Sequence, residues 1–375
     1  MLEYFHTDRI SMLNELILEE LEKPEDALLI SVPVEVYQGI QNRIHHVATE
    51  SVWSLWNKLG IAAAMAAVTL GVWLYYTARY AGEGRNSGNA QYAIDIKPGG
   101  NKATITLTNG EVINLSNAKT GVMIGDGKIA YNDGPDSGGR HPDLEEAAKQ
   151  IFLESGTKRA TLLTASTPRG GTYEFTLPDG SKVFLNAATT IKFPSAFDKS
   201  DRVVELVSGE AYFEVAKEKK RPFIVKNERQ QVEVLGTHFN INAYADEPII
   251  RTTLLEGSVK VSNTTESLVQ QILRPGQQSM LAGTRLNVVD VDVNTVIDWK
   301  NGEFIFDNES LESLMRKIAR WYNVQIDYAN AEARNVIYYG SISRFENVSR
   351  VLSKFEQTGE VTFKVDKNKI TVYKR

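Results

Sequence analysis

The chain has 375 residues, of which 42% are hydrophobic and 24% are charged. This is the composition of a globular protein rather than of a disordered chain or a polytopic membrane protein. Its net charge of -5 offers no general basic surface to phosphate backbones, so direct nucleic-acid binding is not expected. The absence of cysteine excludes disulfides, thiolate metal sites and cysteine nucleophiles.

An acidic arm, residues 1–56, opens the sequence. Residues 1–58 carry ten acidic and four basic residues, and apolar residues recur at helical spacing in the first part of the arm. The pattern predicts a short amphipathic helix, with a second one near residues 33–46. Because two short helices bury little surface, the stripe indicates a docking face for a partner or, alternatively, part of a solvated tether. The stripe consists of Leu13, Leu16, Ile17 and Leu21.

A single transmembrane helix is predicted at residues 57–79. The segment from Leu59 to Ala78 runs for 20 residues without a charge, and about 20 apolar residues span the hydrocarbon core of a bilayer. Tryptophan or tyrosine residues flank both ends, as in the aromatic belts of membrane helices. The alternatives are a buried core helix and a signal sequence, but the segment is apolar all round and 58 residues precede it. We therefore expect contact with membrane lipid.

Short alternating runs predict an all-β region after the span. We divide it into a linker with β hairpins, residues 80–160, and a β domain, residues 161–298, expected to be a hairpin-rich sandwich or roll. Four segments are predicted as hairpins because each has glycine at or beside a turn. They are residues 103–115, 172–185, 203–215 and 252–261. The first two match at an offset of 70 residues, which indicates related β units.

The tail, residues 299–375, contains an internal repeat. Seven apolar positions recur at an offset of 37 residues, four on a predicted helix and three on the strand that follows it. The repeat predicts a small α+β domain of two βαβ units with a mixed sheet. Strands are expected near residues 303–306, 324–328, 337–342, 361–366 and 369–373.

No catalytic constellation is recognisable in the sequence. It has five histidines but no HExxH motif, and it lacks a GxSxG elbow, a Walker A loop and a GxGxxG motif after a strand. A glycosidase pair of carboxylates in the β region stays open, since fold geometry rather than spacing sets such pairs. His238 lies in an alternating run, where a half-exposed strand histidine is expected rather than a metal ligand. We expect no enzyme activity, no cofactor and no metal site.

Residues 165–262 resemble the core of the FecR family, the membrane-spanning regulators of extracytoplasmic-function (ECF) sigma factors. The resemblance rests on the motifs LPDG, SGEAYFEV, RPFIV and VLGTHFNI, which occur in this order. The tail is similar to the C-terminal domain of Bacteroidetes-type members, which is itself similar to the short N-terminal (STN) domains of secretins and TonB-dependent receptors.

The resemblance implies a single-pass anti-sigma factor of the bacterial inner membrane, with its N-terminus in the cytoplasm and its C-terminus in the periplasm. The arm would be part of an anti-sigma domain and would bind an ECF sigma factor through Leu13, Leu16, Ile17 and Leu21. Its acidic charge suits the basic surfaces of sigma factors. The β regions and the tail would sense the signalling domain of an outer-membrane TonB-dependent transporter for iron or a glycan.

Two further sets of residues are candidate sites. On the tail helices, Glu312, Arg316, Arg320 and Arg350 are expected on outer faces where the transporter could be met. In the VLGTHF motif, the resemblance implies self-cleavage between Gly236 and Thr237, through attack of the threonine hydroxyl on the preceding carbonyl. The favoured alternative is that Gly236 marks a β-bulge and Thr237 is an ordinary strand residue.

Other classes of function compete with the anti-sigma assignment. The first alternative is a membrane-anchored periplasmic scaffold or carbohydrate-binding β protein without a sigma partner. A membrane-tethered hydrolase ranks third, since it would need a pocket with paired carboxylates of shifted pKa.

Overall fold

The computed structural model describes residues 95–125, 128–132, 160–264 and 269–375, together with Leu70. The described residues from 95 onward belong to one compact unit. The predicted arm, the remainder of the predicted span and the sequence up to residue 94 lie outside the described residues. Within the described ranges, no helix is both long enough and apolar enough to cross a membrane.

Eighteen strands of the described chain form the β domain, and they alternate between buried and exposed side chains as half-buried strands do. They are β1 (Gly100–Asn101), β2 (Thr104–Thr106), β3 (Val112–Asn114), β4 (Gly121–Gly125), β5 (Lys128–Tyr131), β6 (Leu162–Thr167), β7 (Gly171–Thr176), β8 (Lys182–Leu185), β9 (Thr189–Pro194), β10 (Arg202–Glu214), β11 (Phe223–Lys226), β12 (Gln230–Val234), β13 (His238–Ala243), β14 (Ile250–Glu256), β15 (Val259–Asn263), β16 (Gln270–Leu273), β17 (Gln277–Ala282) and β18 (Arg285–Asp290).

The strands make two sheets that share one strand. The first sheet has the order β3-β2-β6-β9-β10-β11-β12-β15-β16. The second has the order β5-β4-β7-β8-β10-β13-β14-β17-β18, with β1 beside β7. Apolar side chains of both sheets form one buried core, in which the rings of Phe213 and Phe239 stack 4.9 Å apart. The prediction of a mostly β region is confirmed. Of the two expected architectures, a sandwich or a roll, the two sheets around one core correspond to the sandwich.

The first two predicted hairpins are confirmed. In the β2–β3 hairpin, Leu107 N donates to Glu111 O (2.9 Å) and Gly110 N to Leu107 O (3.0 Å). The β7–β8 hairpin repeats this pattern 70 residues later, with Gly180 N donating to Leu177 O at 2.9 Å. Both turn glycines have positive φ, +87° and +82°, which glycine adopts without strain.

The other two predicted hairpins are wrong. Residues 203–215 lie largely in the single 13-residue strand β10, and residues 252–261 span β14 and β15, which belong to different sheets. In each case the glycine marks a change of sheet instead of a reversal. The first half of β10 pairs with β9 and β11, and its second half pairs with β8 and β13.

A bulge in β10 makes this change of sheet. The register with β9 shifts between Leu206 and Ser208, and Gly209 follows with φ +112°. A Cβ at Gly209 would collide with Thr189, so only glycine fits there. The Thr189 hydroxyl accepts from Glu210 N at 3.0 Å. The bulge therefore fixes the backbone of Glu210, whose side chain enters the site described below.

The strands at residues 100–131 are integral to the β domain. β2 pairs with β6, and β4 runs parallel to β7. Ile105, Val122 and Ile124 are fully buried in the common core. This part of the predicted linker thus belongs to the same folded body as residues 161–298, because its strands complete both sheets.

The tail follows the short helix α1 (Val293–Val296), and it contains two longer helices. Its elements are β19 (Glu303–Ser310), α2 (Leu311–Tyr322), β20 (Gln325–Tyr328), a 3₁₀ turn (Ala331–Asn335), β21 (Ile337–Ser343), α3 (Val348–Glu356), β22 (Val361–Asp366) and β23 (Lys369–Lys374). The Ser310 hydroxyl caps α2 by accepting from Ser313 N, and Asn323 ends the helix in a left-handed conformation with φ +53°. The predicted repeat of strand, helix and strand is confirmed.

The strands of each repeat do not pair with one another, which corrects the prediction of two βαβ units. β19 pairs antiparallel with β21 in a two-stranded sheet. β20 and β22 both pair with β23, the first parallel and the second antiparallel. The two repeats therefore exchange partners across the domain, and only the second sheet is mixed.

Candidate functional site at the junction of the β domain and the tail

A polar cavity of about 310 Å³ lies where the tail packs on the β domain. The β domain contributes side chains from the end of β8, the second half of β10 and β13. The tail contributes side chains from β19, α2 and the segment after β21. The lining includes Asn186, Glu210, Asn240, Asn242, Asp298, Trp299, Phe304, Lys317, Trp321 and Arg344.

Glu210 lies at the centre of a hydrogen-bonded network in this cavity. Its carboxylate accepts from Asn186 Nδ2 at 2.8 Å and from Asn240 Nδ2 at 3.0 Å. The Trp299 indole N–H points to Asn240 Oδ1 at 3.4 Å. A buried carboxylate is costly unless it is hydrogen-bonded, and the two amides meet that need for Glu210.

Arg344 reaches from the tail into the same network. Its side chain donates to Trp299 O at 2.6 Å and to Asn186 Oδ1 at 3.1 Å, while its guanidinium lies 4.0 Å from the Trp321 ring centre. It is 2% exposed, and burial lowers its pKa to about 10, so it stays charged at neutral pH. Its Nε atom is buried and has no hydrogen-bond partner among the residues that the structure describes.

Asp298 and Lys317 add two further charged groups to the lining of the cavity. Burial raises the pKa of the Asp298 carboxyl to about 6, against the opposing effect of the Lys317 charge. Asp298 accepts from the backbone N–H groups of Trp299 and Ile305. Lys317 donates to Glu309 at 2.8 Å, and nearby carboxylates outweigh its burial and raise its pKa.

Four charged residues close one side of the junction. Glu247 is bound by Arg316 (3.1 and 3.0 Å) and by Arg320 (3.1 Å). Arg320 also donates to both carboxylate oxygens of Asp246 at 3.1 Å, and it lies 3.9 Å from the Tyr244 ring centre. Burial opposes ionisation of Glu247, but the two arginines outweigh it and lower the pKa of the carboxyl. These pairs join α2 to the loop after β13.

The expectation that Arg320 lies on an outer face is wrong. Arg320 is 5% exposed, and it belongs to the junction because α2 packs one of its charged faces on the β domain. Arg316 is half-buried in the same cluster. Glu312 pairs with Arg334 at 2.6 Å, and Arg350 pairs loosely with Glu346 at 3.9 Å. The proposed contact of these residues with a transporter stays a prediction.

The segment before β1 docks on the tail. Ile96 O accepts from Val348 N at 3.0 Å. The Asp95 carboxylate accepts from Ser349 N at 3.1 Å and from the Ser349 hydroxyl at 2.7 Å. Asp95 thereby satisfies a free N–H group in the first turn of α3, where a negative charge is favoured. The chain that leads back toward the predicted span is therefore attached to the tail.

Gly236 and Thr237 lie between β12 and β13, and they do not line the cavity. Gly236 has φ +144°, and the register of β13 with β14 shifts at the adjoining His238. Thr237 is 3% exposed, and its hydroxyl donates to Ser258 O at 3.2 Å. These features agree with a bulge, and cleavage of the bond stays a prediction.

The predicted sigma-binding residues Leu13, Leu16, Ile17 and Leu21 lie outside the described residues. The described part of the chain contains no group of three or more histidine, cysteine or acidic side chains arranged to hold a metal ion. Sequence reasoning missed the junction itself. The charged residues of α2 gave no signal of it, because Glu312, Arg316, Lys317 and Arg320 are no more than the exposed face of a 12-residue amphipathic helix carries.

Replacement of Asp298 by asparagine should flatten the pH dependence of stability. Because the folded-state pKa lies above the ordinary 3.8, the wild-type chain loses stability as the pH rises from about 4 to about 6. The shift corresponds to about 3 kcal/mol at most. Denaturant unfolding of both chains between pH 4 and 7 measures this. If the free energies of unfolding of the two chains ran parallel over this pH range, the Asp298 carboxyl would titrate normally. The hydrogen-bond acceptor that the variant loses changes its stability by the same amount at every pH.

Comparison with known proteins identifies both parts of the described chain. Residues 163–260 match the family described as FecR protein, and residues 303–372 match the family described as FecR, C-terminal. No curated protein matches the chain.

Two crystal structures of a candidate anti-sigma factor from Parabacteroides distasonis ATCC 8503 are similar to this one. Both are 27% identical to the chain with a TM-score of 0.52. They cover 56% and 57% of this chain and 99% of the other. The two family matches occur in order, so the β domain contains a FecR domain and the tail is a FecR C-terminal domain, and together with the fold shared with this relative they support an anti-sigma factor of the FecR family.

Proposed function

We propose that the chain is a single-pass inner-membrane anti-sigma factor without enzyme activity. In this proposal the arm lies in the cytoplasm and binds an ECF sigma factor, while the β domain and the tail lie in the periplasm. The tail receives a signal from a TonB-dependent transporter of the outer membrane when that transporter has bound its iron complex or glycan. The family assignment supports the anti-sigma role.

The contact of Asp95 and Ile96 with α3 is the observation that supports the passage of a signal from the tail to the predicted span. Asp95 and Ile96 contact the first turn of α3, and the sequence before them leads to the predicted span. A partner that displaces α3 would therefore act directly on the connection to the membrane. Arg350, on the same helix, has a side chain that is 65% exposed, which supports α3 as a surface that a partner can reach.

The junction supports the transmission of force through the tail. The buried ion pairs of Glu247 with Arg316 and Arg320 join α2 to the β domain. Packed elements of this kind move as units between discrete arrangements. A displacement of the tail by a partner would thus also move the β domain and the residues around Asp95.

Loss of sigma binding is expected when the apolar stripe of the arm is made acidic. Truncation of a buried apolar anchor costs about 2 kcal/mol or more, so the double change Leu16→Asp, Leu21→Asp should weaken binding of the full chain to its sigma factor by more than tenfold. Leu16→Met, Leu21→Met keeps the stripe apolar and is the matched control. Pull-down and titration with the ECF sigma factors of the same organism measure both. If the wild-type chain has no affinity for any ECF sigma factor, the scaffold alternative replaces the proposal.

Fusion of compartment-specific reporters tests the orientation. A reporter that is active only in the periplasm should be active after Arg375 and silent after Glu50, because the predicted span separates the two positions. A cytoplasm-specific reporter should give the opposite pattern and serves as the control. The reverse orientation would reject the relay as proposed.

A further inference from the structure

The outer edge of β21 (Ile337–Ser343) has no strand beside it among the described residues. β21 pairs only with β19, and these two strands form a sheet of their own. Val336 O accepts from Leu311 N at 2.7 Å and Arg344 N donates to Gly302 O at 2.9 Å, so the even-numbered residues direct their backbone groups toward β19. Because this direction alternates along a strand, the odd-numbered residues direct their N–H and C=O groups toward the open edge.

The same edge carries exposed apolar side chains. Ile337 is 46% exposed and Tyr339 is 68% exposed, and Phe345, just after the strand, is 69% exposed. The alternate side chains Tyr338 and Ile342 are buried in the core of the tail. The open edge of β21 therefore combines backbone groups that lack a partner strand with uncovered apolar surface, and this combination favours the addition of another strand.

β21 also lacks the residues by which edge strands avoid pairing. Its sequence, IYYGSIS, contains no charged residue and no proline, which are the usual protection of an open edge. The other edge strands that the structure describes differ: β1, β3, β5 and β16 have four residues or fewer, and β18, β19, β20 and β22 each contain charged residues. A strand that pairs with its own copy must not oppose like charges, and β21 meets that condition.

A second copy of β21 fits this edge in an antiparallel register centred on Gly340. In that register Ile337 of one copy lies opposite Ser343 of the other. Tyr339 likewise lies opposite Ser341, so the backbone groups that each strand directs outward meet their counterparts. The two copies of Gly340 face each other as a pair without mutual hydrogen bonds, where Cα atoms approach to about 4.5 Å. The absence of a side chain there suits the close approach of another backbone.

The charges that flank β21 favour the antiparallel arrangement. Arg334 and Glu346 lie at equal distances in sequence on either side of Gly340. Antiparallel pairing therefore brings Arg334 of each copy to the end of the strand where Glu346 of the other copy lies. Both side chains are 46% exposed and can be reached from outside. Parallel pairing would bring like charges together, so complementarity selects the antiparallel pairing.

We infer that the chain forms a dimer with a second copy of itself through antiparallel pairing of β21, which joins the two β19–β21 sheets into one sheet of four strands. Such an interface is isologous, because both copies contribute the same edge. It covers the exposed Ile337 and Tyr339 of both copies. The inference goes beyond the proposed function, and it depends on neither the sigma factor nor the transporter.

Disulfide cross-linking of the purified full chain in detergent micelles tests this pairing. The chain contains no cysteine, so the double variant Tyr339→Cys, Ser341→Cys carries only the introduced thiols. Hydrogen-bonded antiparallel pairs have Cα atoms about 5.5 Å apart, which is within the reach of a disulfide. The matched control is Asn287→Cys, Val289→Cys, at exposed positions with the same spacing on the edge strand β18.

The first cysteine variant should form a covalent dimer under mild oxidation, and the control should stay monomeric. Absence of a covalent dimer in the first variant, or equal yields of it in both, would overturn the inference.

Sedimentation equilibrium of the full chain measures the strength of the dimer. The double variant Ile337→Lys, Tyr339→Lys places four lysines in one dimer interface and should raise the dissociation constant about tenfold or more, because like charges across paired strands repel. Both positions are exposed, so the fold should persist, and circular dichroism verifies this. Asn287→Lys, Val289→Lys is the control and should dimerise as the wild type does. A monomeric wild type, or equal dissociation constants in the wild type and the first variant, would reject the β21 dimer.

Discussion

Replacement of Glu247 by glutamine is expected to lower the free energy of unfolding by about 3 kcal/mol, because breaking a buried ion pair leaves uncompensated charge. The Glu247 side chain is 6% exposed, and it binds two arginines at 3.0–3.1 Å. Glutamine keeps the size of the side chain and one acceptor, but it removes the charge. Arg320 retains Asp246 as a partner, which places the expected cost at the lower end of about 3–5 kcal/mol for such pairs.

Denaturant unfolding at neutral pH measures this change, with Glu256→Gln as the control. Glu256 also lies in an ion pair, with Lys217 at 3.3 Å, but its side chain is 58% exposed. Exposed pairs contribute about 0–1 kcal/mol, so the control should unfold nearly as the wild type does. Equal losses in the two variants would mean that the junction pairs add no stability beyond that of surface pairs.

The effect of Glu247 should disappear in acid. Because its pKa in the folded state lies below the ordinary 4.5, its stabilising contribution is complete above that value and is lost as the pH falls through the folded-state pKa. The wild type and Glu247→Gln should therefore converge in stability as the pH falls from 4.5 through the lower pKa of the folded state. A constant difference over the whole pH range would assign the loss to packing instead of charge.

Local periodicity predicted the tail well. The apolar positions of α2 and α3 recur every three or four residues and face one core, and those of the strands that follow them alternate. The order and approximate bounds of the elements followed from this pattern. The pairing did not, because β20 and β22 meet through β23, and no local signal encodes which of several similar strands become neighbours.

The changes of sheet at Gly209 and Gly257 were not predicted, because a glycine between alternating runs is also the mark of a hairpin turn. The difference lies in what surrounds the glycine. Gly110 and Gly180 have open space around them, whereas Gly209 is pressed against Thr189 and Gly257 packs near Thr237. Such close approach depends on strands that are distant in sequence, so it is visible only in the folded chain.

The burial of charged residues at the junction could not be predicted from local sequence either. Arg344 and Asp298 lie in short connecting segments, where a charged residue is ordinarily solvated. Their burial results from the packing of the tail on the β domain, which brings Arg344 to Asn186 across 158 positions of sequence. The apolar stripe of α2 led to the expectation that Arg316 and Arg320 lie on an outer face, because the sequence does not show that the β domain covers Arg320.

Replacement of Gly236 by alanine is expected to lower the free energy of unfolding by about 3 kcal/mol or more. Two costs add together. A side chain at φ +144° is strained by about 1–3 kcal/mol, and forcing extra atoms into a packed site costs about as much again. The added Cβ would lie 2.6 Å from Lys217 Cα, a backbone atom that cannot turn away. Gly110→Ala is the matched control, because Gly110 also has positive φ but has open space around it, so only the strain should remain.

Incubation of the purified wild-type chain decides between a bulge and self-cleavage at Gly236 and Thr237. Thr237 is buried, and its hydroxyl is engaged with Ser258 O, so we expect the peptide bond to stay intact. Mass spectrometry after prolonged incubation should find only full-length chain in the wild type and in Thr237→Ala. A fragment of residues 237–375 in the wild type that is missing in Thr237→Ala would contradict the bulge as the whole explanation. It would show that the Thr237 hydroxyl leaves Ser258 O and attacks the Gly236 carbonyl, so that the Gly236–Thr237 C–N bond breaks, the Thr237 amine is released and an ester forms. Water then hydrolyses the ester to the Gly236 carboxylate and the free Thr237 hydroxyl.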